Sequence, residues 1–430
     1  MSLNDTPSAD RTHIGIFGRR NAGKSSLINA VTGQDLAIVS EVRGTTTDPV
    51  SKAMELLPLG PVVMIDTPGI DDAGDLGAMR VRKSYQVLNK TDIALLVVDG
   101  EEGFGPQEAK LLARIGEKEI PCVVAVNKAE RMTEEMKRTV HGEILAGGIP
   151  EENLLYVSAA DGTNISPLKE RIAAQMKDES APRLVGDLLK PGDQVVLVVP
   201  IDSAAPKGRL ILPQQQTIRD VLDADAAAIV TKENRVRETL HSLTKAPAMV
   251  ITDSQAFERV ARDTPTEIPL TSFSILMARR KGDLPALAHG AAALDHLKDG
   301  DRVLISEGCT HHRQCGDIGT EKLPRWIQGY TGKALTFSFT SGTEFPEDLQ
   351  AYALCVHCGG CMLHDREMRY RIHCAQDQGV PMTNYGVCIA KIHGILPRSL
   401  QPFPAALAAL QAPVSGMKAE DDAQEEERQR

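Results

Sequence analysis

The sequence predicts an α/β chain of three successive parts, and three observations carry that expectation. Short apolar runs alternate with helical patterns along most of the 430 residues, the arrangement that yields parallel sheets covered by helices. A Gly-rich strand-to-helix turn, Gly18-Arg19-Arg20-Asn21-Ala22-Gly23-Lys24-Ser25, lies near the start. Far downstream, Cys309-Thr310-His311-His312 and His357-Cys358-Gly359-Gly360-Cys361 each follow a strand-like run.

A chain of this length can bury two to four separate cores. The net charge of −10 argues against a nucleic-acid surface, which needs clustered Lys and Arg. The opening MSLNDTPSAD is polar and lacks the apolar core of a secretory signal. Runs such as 93–98 and 195–201 have strand length and cannot span a bilayer. Eight cysteines then read as reduced thiols or metal ligands, not disulfides. The expectation is a cytoplasmic protein with neither nucleic acid nor membrane among its partners.

The first part runs from 12 to 178. His13–Phe17 is a strand, and residues 18–25 fit G-x4-G-K-[ST] before a helix that holds Ser26 and continues to Val31. Backbone N–H groups from Gly18 through Ser26, with Asn21, Ala22 and Gly23 between, would cradle phosphates at that helix start. Lys24 would reach the β and γ oxygens, and the Ser25 hydroxyl would bind Mg²⁺. A polar loop, Gly44-Thr45-Thr46-Thr47-Asp48, can add a threonine hydroxyl to the metal. The strand 62–65 leads to Asp66-Thr67-Pro68-Gly69, where Asp66 acts on the metal shell and Gly69 offers an N–H to the γ-phosphate. Asn127-Lys128-Ala129-Glu130 follows the strand 123–126 at the position that reads guanine, and Ser158 and Ala159 would back the base.

Across about 165 residues this part resembles the translation-factor-like GTPases of the Era and MnmE group. The resemblance implies GTP and GDP as ligands, Thr46 as the Mg²⁺-binding switch threonine, and Asn21 as a potassium-holding residue. A plain turn role for Asn21 stands beside the last. Glu130 replaces the usual aspartate of NKxD and loosens the fit to guanine. Ile70 stands where Ras-like proteins keep a water-orienting glutamine, so turnover is expected to be slow. Arg19, Arg20 and Arg43 read as solvated surface cations.

The second part, 183 to 268, follows a polar, proline-ended stretch at 177–182. It alternates strands at 194–199, 226–230 and 248–251 with helices at 216–222, 235–243 and 254–261. The loop 202–208 reads as a surface turn or as a catalytic loop. With no motif of its own, this unit suits self-association.

The third part, 269 to 412, carries strands at 302–306, 335–339 and 352–356 and a helix from near His364. Both thiol-bearing segments leave strand ends that can lie side by side in one sheet. CxxC serves iron–sulfur, zinc and redox chemistry alike. Three cysteines short of a fourth suit a [4Fe-4S] cluster with one open iron, and equally a structural zinc held by three cysteines and one histidine. Cys315 is available as a fourth sulfur that would close the site. Cys122, Cys355, Cys374 and Cys388 read as small core residues. Residues 413–430 are acidic and read as a disordered tail.

Cys-Thr-His-His…His-Cys-Gly-Gly-Cys behind such a GTPase part resembles the HydF family of [FeFe]-hydrogenase maturation GTPases. That resemblance implies an iron–sulfur-binding third domain with a [4Fe-4S] cluster on Cys309, Cys358 and Cys361. His311 and His357 become candidate labile ligands or hydrogen-bonding supports. It further implies a homodimer through the middle domain and a [2Fe] H-cluster precursor built with HydE and HydG for apo-hydrogenase HydA. Two other readings stay open. One is an RNA-directed GTPase with a structural zinc, and the other a GTPase whose metal only staples the fold.

Overall fold

A computed structural model describes residues 10–33, 49–70, 81, 83–176, 183–200, 210–308, 317–342, 344–346 and 348–412. The loop around Thr46, the segment from Cys309 through His311 and His312 to Cys315, the loop 202–208 and the tail 413–430 lie outside those residues. The chain divides into two compact units, Met1–Glu179 and Ser180–Arg430.

In the first unit, strands β1 (Thr12–Phe17), β2 (Val50–Leu56), β3 (Gly60–Asp66), β4 (Ile93–Asp99), β5 (Cys122–Asn127) and β6 (Leu154–Tyr156) form one sheet in the order β2-β3-β1-β4-β5-β6. Every pairing is parallel except β2 with β3. Ile-Ala-Leu-Leu-Val-Val-Asp of β4 is buried at every position, because helices cover both faces and alternation gives way to a continuous apolar run. Apolar side chains of the sheet accordingly feed two cores, one on each face.

The second unit holds two parallel sheets. Strands β7 (Gln194–Val198), β8 (Ala227–Thr231), β9 (Met249–Thr252) and β10 (Leu270–Ser272) run in the order β10-β9-β7-β8. Strands β11 (Arg302–Glu307), β12 (Thr336–Ser341), β13 (Leu354–His357) and β14 (Met382–Asn384) run β12-β11-β13-β14. Residues 270–272, expected in the third part, are an edge strand of the middle sheet, paired with β9. The helices Phe273–Lys281 and Leu284–Ala292 follow it directly. Their apolar faces share one core with Val196 and Ile251 of the middle sheet and with Leu304 and Cys355 of the last. Gly290 is required there: a Cβ at this position would lie 1.9 Å from the Met382 carbonyl oxygen. Among the described residues, no helix is long and apolar enough to cross a membrane.

Candidate functional site

Phosphate-cradle residues gather at the carboxyl ends of β1 and β3, where open α/β sheets place ligands. The helix Lys24–Thr32 starts at Gly23, whose φ of 85° is left-handed and whose Cβ would meet Asn127 Nδ2 at 2.2 Å. Only glycine serves at that point. Lys24 is buried, and its Nζ donates to the carbonyls of Gly18 at 3.0 Å and Arg19 at 2.7 Å. Asn21 is exposed with φ 64°, and Ser26 is exposed on the helix.

Ser25 Oγ donates to Asp66 Oδ2 at 2.9 Å, while Asp66 Oδ1 is buried without a partner. Burial, opposed by Ser25 and Lys24, holds the Asp66 carboxyl above its ordinary pKa. A hydroxyl beside an orphaned buried carboxylate oxygen fits a Mg²⁺ shell, since a divalent cation would satisfy that oxygen and favour its charge. Gly69 is partly exposed just beyond, followed by buried Ile70.

Asn127 joins the cradle to the base-reading segments. Its Nδ2 donates to Ala22 O at 3.0 Å, and its Oδ1 accepts from Ala159 N at 3.0 Å. Ser158 is fully buried and accepts from Asp161 N at 3.3 Å. Lys128, at φ 62°, pairs with buried Asp99 at 2.5 Å. The Glu130 side chain is 30% exposed, its carboxylate 3.7 Å from Arg131 Nε. Arg19 departs from the solvated role expected of it. It pairs with fully buried Glu108 and donates to Gly103 O at 2.5 Å, because Glu108 would otherwise be an isolated buried charge.

The second site lies at the carboxyl ends of β11 and β13. Their parallel register sets Ser306 beside His357, and Cys358 N donates to Ser306 O at 2.8 Å. This brings the segment leaving β11 against the CxxC turn: Gly308 N donates to Cys358 Sγ at 3.0 Å, and Gly360 N reaches the same sulfur at 3.4 Å. Gly360, at φ 62°, bends the turn, and Leu363 N closes it on Gly360 O at 3.0 Å. Cys358 and Cys361 are both partly exposed. N–H donors aimed at a half-exposed sulfur stabilise thiolate, so these residues fit an iron–sulfur centre. Among the described residues no group of three or more His, Cys, Asp or Glu side chains forms a metal set. Cys309 and His311, the remaining members expected, fall outside them.

His357 is completely buried, with Nδ1 2.7 Å from Cys358 O and Nε2 3.0 Å from Arg371 Nη1. Guanidinium can only donate, so Nε2 accepts and Nδ1 carries the proton that it gives to the Cys358 carbonyl. Burial first, then Arg371, lowers the His357 pKa to about 3 and keeps the ring neutral. Both ring nitrogens are therefore engaged within the protein. As placed, His357 Nδ1 faces the Cys358 carbonyl and Nε2 faces Arg371. Arg371 itself is fully buried, bonded to Glu367 at 3.0 Å and Gly342 O at 2.9 Å, above the Phe345 ring.

Cys355 and Cys388 are fully buried with thiol pKa values pushed up by burial to about 12, as inert core thiols should be. Sequence reasoning missed Arg371, Lys281 and the pair of buried Glu307 with partly buried Tyr385, whose hydroxyl donates to Glu307 at 3.2 Å. No local signal marks them; each is a lone polar residue in an ordinary helix or strand.

Comparison with known proteins bears on both sites. The model for the hydrogen maturase F dimerization domain matches residues 184–282, and that for its tetramerization domain matches 285–402. The chain belongs to the HydF family. HydF is a hydrogenase maturation GTPase, and a third match, to the 50S ribosome-binding GTPase model, covers residues 13–128. GTPase Der of Wolinella succinogenes is 34% identical over 175 residues, 40% of this chain and 36% of that protein. The tRNA modification GTPase MnmE of Thiobacillus denitrificans is 34% identical over 161 residues, 36% of this chain and 32% of that one. GTPase Era of Carboxydothermus hydrogenoformans is 32% identical over 164 residues, 37% and 53% of the two chains. This chain thus spans about a third to a half of the length of these relatives. Its first domain is a GTPase domain of the P-loop class, with GTP or GDP and Mg²⁺ as ligands.

Proposed function

We propose that this HydF chain is a GTP-switched scaffold and carrier in hydrogenase maturation. Cys309, Cys358 and Cys361 would hold a [4Fe-4S] cluster, whose contribution is an iron with an exchangeable position. The cargo is a [2Fe] precursor bearing CO, CN⁻ and a dithiolate bridge, matured with HydE and HydG and handed to apo-HydA. The observation that carries this reading is the bond from Gly308 N to Cys358 Sγ. It ties the segment entering Cys309 to the CxxC turn at two neighbouring strand ends, so three thiols separated in the chain can share one centre.

The domains would be 12–178 for GTP, a dimerisation domain that starts at 183 and runs past the expected end at 268 to take in β10 and the helix Phe273–Lys281, and the remainder to 412 for the cluster, with self-association through the middle one giving a homodimer. Lys24, Thr46, Asp66 and Gly69 would serve hydrolysis, with Asn21 holding potassium. Turnover would be slow because Ile70 cannot orient water. GTP would act by biasing partner preference, by about 1–3 kcal/mol, which suffices to redirect exchange but not to make bonds in a cluster.

The test is anaerobic reconstitution with iron and sulfide. A brown protein with sulfur-to-iron charge-transfer absorption and a reduced-state EPR signal is expected, and Cys358→Ser should lose both while retaining GTP hydrolysis. A colourless protein carrying one tetrahedral zinc after the same treatment would overturn the carrier reading.

A further inference from the structure

Lys281 ends the helix Phe273–Lys281, where the run Arg279-Arg280-Lys281 would ordinarily give a solvated basic terminus. It is instead 1% exposed. Its Nζ lies 2.9 Å from the carbonyl of Leu363, 3.2 Å from that of Cys361 and 3.4 Å from that of Gly360. Three carbonyl acceptors match the three N–H bonds of an ammonium, one more than a neutral amine could supply. The carboxylate of Asp365 stands 3.8 Å away. Burying a cation is costly unless its protons are bonded, and here three carbonyls of the turn that carries Cys361 accept them. The helix lies in the stretch matching the dimerization domain and the turn in the stretch matching the tetramerization domain, so the side chain clamps one to the other.

We propose that Lys281 is the positioning residue of the thiol turn, holding it in metal-ready form and placing one buried positive charge beside it. The proposal rests on the reading that Cys358 and Cys361 hold an iron–sulfur cluster. Two consequences follow from charge and geometry. A clamped turn releases a bound iron less readily, because the backbone that carries its sulfurs does not reorganise. A fixed cation favours whichever state of the site carries more negative charge, which for a cluster is the reduced one.

The full-length chain, wild type and with Lys281→Met, Lys281→Arg or Asp365→Asn, is reconstituted anaerobically. Midpoint potential by EPR-monitored titration and iron loss to a chelator are measured. Hydrogen exchange of the 358–363 amides is followed in metal-free protein. Lys281→Met should move the midpoint to more negative potential, speed iron loss about 10–100-fold, the usual cost of deleting a ligand's supporting partner, and expose the turn amides in the metal-free chain. Lys281→Arg should return the midpoint toward wild type, and Asp365→Asn should move it the opposite way, to more positive potential. A Lys281→Met midpoint equal to wild type, or the same direction of shift for Asp365→Asn, overturns the proposal. Should Lys281→Met fail to fold, the sign of the Asp365→Asn shift decides. Should wild type hold no iron, the cluster reading falls, while unchanged exchange at 358–363 in metal-free Lys281→Met would separately sink the clamp.

Discussion

Arg371 shows how much of this molecule depends on single buried charges. Its guanidinium bonds the His357 ring, the Glu367 carboxylate and the Gly342 carbonyl, with no exposure to solvent. Removing one partner from such a set strands the others, so Arg371→Met should lower stability by about 3–5 kcal/mol. Urea unfolding followed by Trp326 fluorescence reads this directly. Trp326 is the sole tryptophan and packs on the core that includes Val303, Leu354 and Val356. At this scale, legibility divided by mechanism. Gly18, Gly23, Lys24 and the CxxC pair could be read because their spacing encodes a backbone path. Arg371 and Lys281 could not, since a charge in Asp365–Asp377 or at the end of Phe273–Lys281 looks solvated until tertiary packing buries it.

Among elements, the short turn Gly186–Leu188 and the helix Phe273–Lys281 are joined by Arg279, which donates to Asp187 at 2.8 Å and to the carbonyls of Arg183 and Leu184. The hydrogen bond from Arg279 is the main reason the Asp187 pKa lies below the usual carboxylate value. The folded chain therefore keeps this charge at lower pH than the unfolded chain does. Its stabilisation is complete above about pH 4 and disappears as pH falls through the depressed folded value. Because both groups are partly solvated the effect is about 1 kcal/mol or less. Asp187→Asn should flatten the acid limb of a plot of melting temperature against pH by that amount. Gly290 offers a sharper case: Gly290→Ala would drive a methyl into the Met382 peptide and should cost about 1–3 kcal/mol or more in the same assay. The parallel strands themselves were readable from apolar runs, and the helix expected at 216–222 already begins at Leu212, where Pro213 suits a first turn.

For the whole molecule, three family models match three successive stretches, and the middle and last of these fall within one compact unit, Ser180–Arg430. The reason lies in the helices Phe273–Lys281 and Leu284–Ala292, whose apolar faces join the cores of two sheets that periodicity alone presents as separate. A fragment spanning 10–176 should bind GTP with the affinity of the full chain in a calorimetric titration, because the described cradle and base-reading contacts are internal to the first unit. In the intact protein, Lys24→Ala should abolish hydrolysis and leave iron content unchanged.

The ladder between β11 and β13 has one more consequence. The excursion that separates the two strands contains the helix Leu323–Thr331 and edge strand β12, yet Ser306 and His357 are neighbours by direct pairing. Contour length between the two strand ends is thus decoupled from their separation in space. Two or three residues added to the bend at 332–335 should leave the absorption of the reconstituted centre untouched.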